Sequence, residues 1–227
     1  MRNIYISITL VFASLNIFGQ SNLYNEFKSR IQKAYAENTF ELKFDLTINT
    51  IDNHSVKQMG VIKKSDNAFF SQYGDYVSLA NNNCKLKVDN QHKLIFYQEN
   101  STSDSFDFTS LLQVNIDTST LSSIEISKNY IKNGLTTYVF DFSKTANMIS
   151  RMSFTLNENG TLNNVEYSYN SESSLRASVS TVVIKYYDIE IGKQFKPSEF
   201  SENAFVNISK GKVEPNRNYG NYSLKTL

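Results

Sequence analysis

The chain of 227 residues carries 23 Lys and Arg against 22 Asp and Glu, which gives a formal charge of +1, and it contains two His and one Cys. A near-neutral chain without a basic cluster lacks the surface that neutralises nucleic-acid phosphates or anionic lipid head groups, so the composition excludes those partners. The single cysteine excludes an intrachain disulfide. Its alternation with Leu86 and Val88 predicts that Cys84 packs as a small hydrophobe.

Residues 1–19 have the layout of a cleaved signal peptide. Arg2 precedes an apolar run from Ile4 to Phe18, and Ile17 and Gly19 fit positions −3 and −1 of a cleavage site. The run is shorter than the roughly 20 residues that a spanning helix needs. No cysteine follows the cleavage site, as a lipoprotein signal would require, so we expect an exported, soluble, periplasmic protein without a lipid anchor.

The next segment, SNLYNEFKSRIQKAYAEN, predicts one amphipathic helix. Its apolar residues are spaced by three and four, and they are Leu23, Phe27, Ile31 and Ala34 or Tyr35. Ser21 or Asn22 can serve as the N-cap, and Glu26 lies in the first turn.

From Phe40 onward the apolar residues alternate, which predicts strands. The segment FELKFDLTINTI puts Phe40, Phe44 and Ile48 on one strand face and polar residues on the other. The predicted strands are residues 40–51, 55–64, 68–80 with a kink at Gly74, 84–89, 93–98, 122–131, 135–142, 151–157, 161–170, 178–190 and 203–208. Short turns such as Asn159-Gly160 separate them, so we expect antiparallel neighbours.

The strand pattern breaks between residues 99 and 121. A polar loop, ENSTSDS, is followed by FDFTSLLQVN, which predicts a short helix. A single helix, a large antiparallel sheet and this insert together predict an α+β domain.

No catalytic constellation is legible in the sequence. His54 and His92 fall in predicted turns, and no P-loop, dinucleotide fingerprint or G-x-S-x-G elbow occurs. A dyad of Cys84 and His92 across one turn is conceivable, but a third, orienting group is not identifiable. We therefore expect no catalytic residue, metal ligand or cofactor, and an enzyme ranks below two binding functions.

The order of elements resembles the LolA-like family of periplasmic lipoprotein carriers. Gly60 matches the centre of the family's second strand, Lys63-Lys64 its basic end, and Phe69-Phe70 the start of the third strand. The late hairpin ISRMSFTLNENGTLNNVEYSY and the last strands continue the parallel, so the resemblance covers most of residues 21–215. It implies a strongly curved antiparallel sheet of about ten or eleven strands, an incomplete barrel with the N-terminal helix and the short insert on its concave face. A single half-barrel domain would span residues 20–215, with a C-terminal tail at 216–227.

The resemblance implies a carrier that holds the acyl chain of a lipid or lipoprotein in an apolar cavity. The residues that we expect to line this cavity are Phe40, Phe44, Leu46, Ile48, Val61, Phe70, Phe96, Phe154 and Tyr167. The expected partners are inner- or outer-membrane transfer proteins, and we expect a monomer. The alternative is a structural or protein-interaction module of the cell envelope with the same fold, a filled core, and a partner bound through its edges or tail.

Overall fold

The computed structural model describes residues 19–37, 39–99, 121, 123–145, 148–170 and 179–226. The predicted signal peptide, apart from Gly19, and the predicted helical insert up to residue 120 lie outside these residues. The described part contains one α-helix, α1, over residues 19–34.

Fourteen strands follow α1 in the described residues, compared with the ten or eleven in one sheet that we expected. They are β1 Thr39–Thr50, β2 Ser55–Ser65, β3 Ala68–Tyr73, β4 Tyr76–Ala80, β5 Cys84–Asp89, β6 Leu94–Glu99, β7 Glu125–Tyr130, β8 Thr136–Asp141, β9 Ile149–Leu156, β10 Leu162–Tyr169, β11 Val179–Ile191, β12 Val206–Ser209, β13 Lys212–Pro215 and β14 Ser223–Thr226. Twelve of them form one open sheet in the order β14-β6-β5-β4-β3-β2-β1-β11-β10-β9-β8-β7, and β12 and β13 form a separate pair.

The strand predicted over residues 68–80 is a hairpin, so the prediction of one kinked strand is wrong. Tyr73 pairs with Tyr76, which leaves Gly74 and Asp75 as a two-residue turn. Gly74 has a φ of +50°, the left-handed conformation that such tight hairpin turns require. The glycine therefore reverses the chain instead of bending it.

The predicted tail, residues 216–227, contributes a strand to the sheet. Residues Ser223–Thr226 form β14, which pairs with β6 in parallel, whereas the other pairs with a described register are antiparallel. The strand predicted at 203–208 also differs, since Glu202–Ala204 is a 3₁₀ turn and β12 begins at Val206. Four-residue strands are too short to show a clear alternation of apolar and polar residues.

The chain divides into two compact units, each made of three segments. The helical unit comprises Met1–Ala36, Thr47–Lys57 and Gln113–Lys185, of which the described residues include α1 and β7 to β10. The C-terminal unit comprises Glu37–Leu46, Gln58–Leu112 and Tyr186–Leu227, with most of β1 and β2, all of β3 to β6, and β12 to β14. The single domain predicted for residues 20–215 stays a prediction.

In the helical unit, one stripe of α1 packs on the strands. Its buried residues, spaced by three and four, are Tyr24, Phe27, Ile31 and Tyr35, while Leu23 is half-buried. The ring of Phe27 lies 5.2 Å from Tyr138, 5.3 Å from Phe140 and 5.0 Å from Phe154, measured between centroids. The core of this unit is therefore an aromatic cluster that the helix completes.

In the C-terminal unit, one face of β4 to β6 packs against the last part of the chain. The buried residues of this core are Val77, Leu79, Cys84, Leu86, Val88, Ile95, Tyr97, Phe205 and Val206. Cys84 is fully buried, which confirms its predicted role as a small hydrophobe. Burial raises the pKa of its thiol to about 12, with a smaller contribution from the Glu202 carboxylate.

Candidate functional site

The nine residues predicted to line a cavity fall into both units. Phe40, Phe44, Leu46, Val61, Phe70 and Phe96 belong to the C-terminal unit, and Ile48, Phe154 and Tyr167 to the helical unit. Five are buried, namely Phe40, Phe44, Leu46, Phe154 and Tyr167, and the other four are half-buried.

Phe40, Phe44 and Leu46 alternate along β1 and share one face, as predicted. Phe44 lies directly over Gly60 of β2, because a Cβ built on that glycine would be 2.2 Å from Cζ of the Phe44 ring. The same ring packs 5.9 Å from the ring of Tyr186. Because Gly60 has no side chain, the Phe44 ring of β1 can pack directly against the backbone of β2.

Val61 and Phe70 lie on the opposite face of the same strands. Val61 follows Gly60 directly, so its side chain points away from Phe44. Phe70 pairs with Lys63, whose Nζ lies 6.0 Å from the Phe70 ring. The same Nζ is 3.8 Å from the carboxylate of Glu41, on the polar face of β1. The expected lining is therefore split between two faces.

Glu41 lies on the polar face of β1, where the alternation of the strand predicts exposure to solvent. Its contacts show that this face is covered instead. Its side chain is buried, and its carboxylate lies 2.8 Å from Nζ of Lys193 and 3.7 Å from Nζ of Lys43. The ion pair with Glu41 raises the pKa of Lys193, with a further contribution from Glu190. Sequence periodicity cannot reveal such a cover, because Lys193 follows β11, about 150 residues along the chain from Glu41.

In the helical unit, polar contacts fasten α1 to the strands beside the aromatic cluster. The Glu26 carboxylate accepts hydrogen bonds from Nζ of Lys128 at 2.5 Å and from the Tyr138 hydroxyl at 2.6 Å. Both hydrogen bonds lower the pKa of Glu26, and the bond from Lys128 has the larger effect. One turn later, Arg30 donates to the carbonyl oxygens of Asn157 and Glu158 at 3.1 and 3.3 Å.

The turn between β9 and β10 meets the helix backbone closely. The predicted Asn159-Gly160 hairpin is confirmed, with the N–H of Asn157 bonded to the carbonyl of Thr161 at 2.8 Å. Gly160 has a φ of +87°, and a Cβ there would lie 2.8 Å from the carbonyl oxygen of Arg30. This glycine serves both the turn and the seating of α1.

A pocket of about 760 Å³ in the helical unit, here the Val139 pocket, combines an apolar base with charged side chains. Its lining is Gln20, Leu121, Ser123, Ile124, Glu125, Ile126, Ser127, Val139, Asp141, Lys144 and Arg151. The four aliphatic members are all buried. Glu125 and Lys144 form an ion pair across its rim. The hydroxyl and N–H of Ser143 lower the pKa of Asp141.

A second pocket of about 490 Å³, here the Glu202 pocket, lies in the C-terminal unit. Its lining is Ser65, Ala68, Asn81, Asn82, Asn83, Phe195, Lys196, Pro197, Phe200, Ser201, Glu202 and Asn203. The buried Glu202 carboxylate accepts from the side-chain amides of Asn81 at 2.7 Å and Asn83 at 2.8 Å. Burial alone would raise the pKa of Glu202, but its own N–H and these two amides outweigh burial and lower it. These contacts anchor the segment after β11 to the turn between β4 and β5.

None of the nine predicted lining residues borders either pocket. Sequence reasoning missed the Val139 pocket, because its members come from separate parts of the chain that only the fold brings together: the start of α1, β7 and the residues before it, β8 and the turn after it, and β9. Within the described ranges, no three His, Cys, Asp or Glu side chains group together as metal ligands. Cys84 and His92 lie at opposite ends of the β5–β6 hairpin, so they form no dyad, and His92 instead contacts Asp89 at 2.8 Å.

No model of a known protein family matches the chain, and no curated protein matches it in sequence. Among solved structures, an uncharacterized conserved protein from Thermus thermophilus covers 89% of this chain and 98% of its own length at 6% identity, with a TM-score of 0.51. The two proteins share a fold.

Two further solved structures are less similar. A LolA superfamily protein from Nitrosomonas europaea has 10% identity and a TM-score of 0.36, over 78% of this chain and 98% of that one. A chain of the MucA/MucB complex of Pseudomonas aeruginosa has 10% identity and a TM-score of 0.43, over 80% of this chain and 61% of that one.

The described part of the chain holds no helix that is long and apolar enough to cross a membrane.

Proposed function

We propose that this protein is an exported, soluble, periplasmic carrier of the cell envelope that binds an acyl chain of a lipid or lipoprotein and performs no chemistry. In this proposal the signal peptide is cleaved after Gly19, and the monomer exchanges its ligand with inner- or outer-membrane transfer proteins. The LolA-like order of elements in the sequence supports the proposal. The contact between Gly60 and the Phe44 ring, on the aromatic face of β1, supports it as well.

The observation that carries the proposal is the Val139 pocket. Its volume of about 760 Å³ lies within the range of small-molecule sites, which is about 300 to 1,000 Å³. Burying one methylene contributes about 0.8 kcal/mol, so about ten methylenes supply the roughly 8 kcal/mol of micromolar binding before association costs. The acyl chain would contact Leu121, Ile124 and Val139. Its polar head group would lie near Lys144 and Arg151.

The nine predicted lining residues have a more limited place in this proposal. Phe154 and Tyr167, with centroids 6.3 Å apart, extend the apolar surface of the helical unit beneath α1, and Ile48 belongs to the same unit. In the C-terminal unit, the predicted contacts with an acyl chain stay predictions for Phe40, Phe44, Leu46 and Phe96. Val61 and Phe70 are left out, because they point to the face that carries Glu41.

The test fills the pocket without disturbing the core. Ser127 is an exposed lining residue, so Ser127→Phe should occupy the space that an acyl chain needs. We expect lipid to co-purify from detergent-free periplasm by native mass spectrometry, and a fluorescent fatty acid to bind at least tenfold more weakly to Ser127→Phe. Asn82→Phe, an exposed lining residue of the Glu202 pocket, is the matched control and should bind normally.

Two outcomes would contradict the proposal: no lipid and no dye uptake by the wild-type protein, or unchanged dye affinity in a folded Ser127→Phe variant. Circular dichroism of both variants separates a loss of binding from a loss of folding.

The alternative proposal is a structural or protein-interaction module of the envelope. The aromatic cluster favours it, because Phe27 already contacts Tyr138, Phe140 and Phe154. Stoichiometric recovery of one envelope protein, together with a lipid-free wild-type chain, would favour this alternative over the carrier.

A further inference from the structure

The Glu202 pocket is lined mainly by uncharged polar side chains. Four of its twelve lining residues are asparagines and two are serines, while Glu202 and Lys196 carry opposite charges. An asparagine amide both donates and accepts hydrogen bonds, and a serine hydroxyl does the same. Such a lining favours a neutral ligand whose groups also donate and accept, and hydroxyl groups have this property.

Part of this hydrogen-bonding capacity is left open within the described part of the chain. The side-chain amides of Asn82 and Asn203 make no hydrogen bond to the described residues, and both residues are exposed. Asn81 and Asn83, in contrast, donate to the Glu202 carboxylate. A carboxylate has about four acceptor positions, and these two amides together with the N–H of Glu202 use three of them. About one position is therefore left for a hydroxyl of a ligand.

The same amides argue against a cation in this pocket. Asn81 and Asn83 turn their side-chain nitrogens, and not their oxygens, toward Glu202. The side-chain oxygen of Asn81 accepts from the N–H groups of Asn83 and Cys84 at 2.9 and 3.0 Å. Calcium and magnesium need several oxygen ligands that face one point. The arrangement therefore suits a ligand that hydrogen-bonds better than it suits a metal ion.

Two phenylalanine rings give the pocket an apolar wall. Phe195 and Phe200 pack edge to face, with ring centroids 5.3 Å apart. Nζ of Lys63 lies 5.9 Å from the Phe195 ring and forms an ion pair with Glu199 at 2.7 Å. Because these contacts hold the wall in place before a ligand binds, binding costs less ordering. A sugar ring matches this pocket, since its hydroxyls lie at its rim and its C–H groups can pack on an aromatic ring.

We propose that the Glu202 pocket binds a neutral saccharide. Hydroxyls of the sugar bond to Asn82, Asn203 and Glu202, and one face of its ring packs on the half-buried Phe195. The volume of about 490 Å³ lies within the range of small-molecule sites, about 300 to 1,000 Å³. The pocket shares no lining residue with the Val139 pocket, so this inference does not depend on the acyl-chain carrier.

The test titrates the full-length, exported protein with glucose, galactose, mannose and N-acetylglucosamine at millimolar concentrations, and measures affinity by ligand-observed NMR. At least one sugar should bind. Asn82→Phe, which fills the pocket, should weaken that binding about tenfold or more. Asn82→Ala should weaken it about threefold to tenfold, the cost of one lost hydrogen bond. The matched control is Asn207→Phe, at an exposed asparagine of β12 outside the pocket, and it should bind normally.

The inference is overturned if the wild-type protein binds none of the four sugars, or if affinity is unchanged in the Asn82 variants. Circular dichroism checks that each variant is folded, and Asn82→Ala decides if Asn82→Phe does not fold. The fatty-acid assay separates this result from the proposed function, because Ser127→Phe should keep sugar binding. Sugar binding without fatty-acid binding overturns only the carrier, and the reverse overturns only the saccharide site.

Discussion

The two units close their cores by different means. The helical unit uses one helix, whose Phe27 completes an aromatic cluster and whose Glu26 and Arg30 are bonded to the strands. The C-terminal unit uses short turns and four-residue strands, which place Phe205 and Val206 on the face of β4 to β6. A core that is covered by a helix leaves a periodic signal in the sequence, whereas a core covered by short irregular segments leaves almost none.

The largest effect should come from removing the centre of the helical cluster. Phe27→Ala deletes a ring that is 2% exposed, and such a truncation costs about 3 to 5 kcal/mol of unfolding free energy. Hydrogen exchange should then accelerate most in β8 and β9, with little change in β4 and β5. Leu23→Ala, at a half-buried position on the same helix, is the control and should cost less.

Equal acceleration of exchange in both units would contradict this separation, because it would mean that the two cores unfold as one.

A second effect should appear where β2 lies beside β1 in the sheet, in the C-terminal unit. Gly60→Ala puts a methyl group into the Phe44 ring, an overpacking that costs about 1 to 3 kcal/mol. Phe44→Leu in the same chain should recover part of the loss, so a double-mutant cycle by chemical denaturation would show coupling between these positions. Gly220→Ala is the control, because a Cβ at this position would lie 3.6 Å from the carbonyl oxygen of Arg217, an ordinary van der Waals contact.

If the losses of unfolding free energy in that cycle were additive, the cost of Gly60→Ala would come from something other than the Phe44 ring.

The smallest effect concerns pH and the segment that covers the C-terminal unit. The pKa of Glu202 is held below its ordinary value of 4.5, so its stabilisation is full above that value and is lost as the pH falls through the lower, folded value. Glu202→Gln should therefore be clearly less stable than wild type at about pH 7 and closer to it at about pH 3. Urea unfolding at both pH values measures the difference.

Glu214→Gln is the control for this experiment, because it breaks an exposed ion pair with Lys212 and should change stability little at either pH. A constant gap between wild type and Glu202→Gln across the pH range would contradict the assignment of an ionised, buried Glu202.

The sequence predictions are most accurate for long alternating strands, and such strands occur in both units. Strands β1, β2, β5, β6, β8, β10 and β11 lie within one residue of their predicted bounds, because alternation over six or more residues is a strong signal. The helix residues Phe27 and Ile31 were predicted from spacing and are buried. Gly60 is one of the residues matched in the resemblance to LolA-like carriers, and its contact with Phe44 gives that glycine a physical reason.

The failures have physical causes as well. Gly74 fits both a kink and a turn until the pairing of Tyr73 with Tyr76 is known. Glu41 alternates like a surface residue, yet Lys193 and Lys63 cover it from distant parts of the chain. The Val139 pocket also depends on tertiary neighbours, because Gln20 and Arg151 are far apart in sequence. Periodicity describes the two faces of a strand, but it does not identify what lies on them.

The most direct test of the carrier proposal is to locate a bound acyl chain. A palmitate analogue with a photoreactive diazirine can be crosslinked to the full-length, exported protein, and the labelled peptides can be mapped by mass spectrometry with and without excess unlabelled palmitate. The proposal predicts label on peptides from β7 and β8, around Ile126 and Val139, that the competitor removes. Label confined to the C-terminal unit, or label that palmitate does not displace, would contradict it.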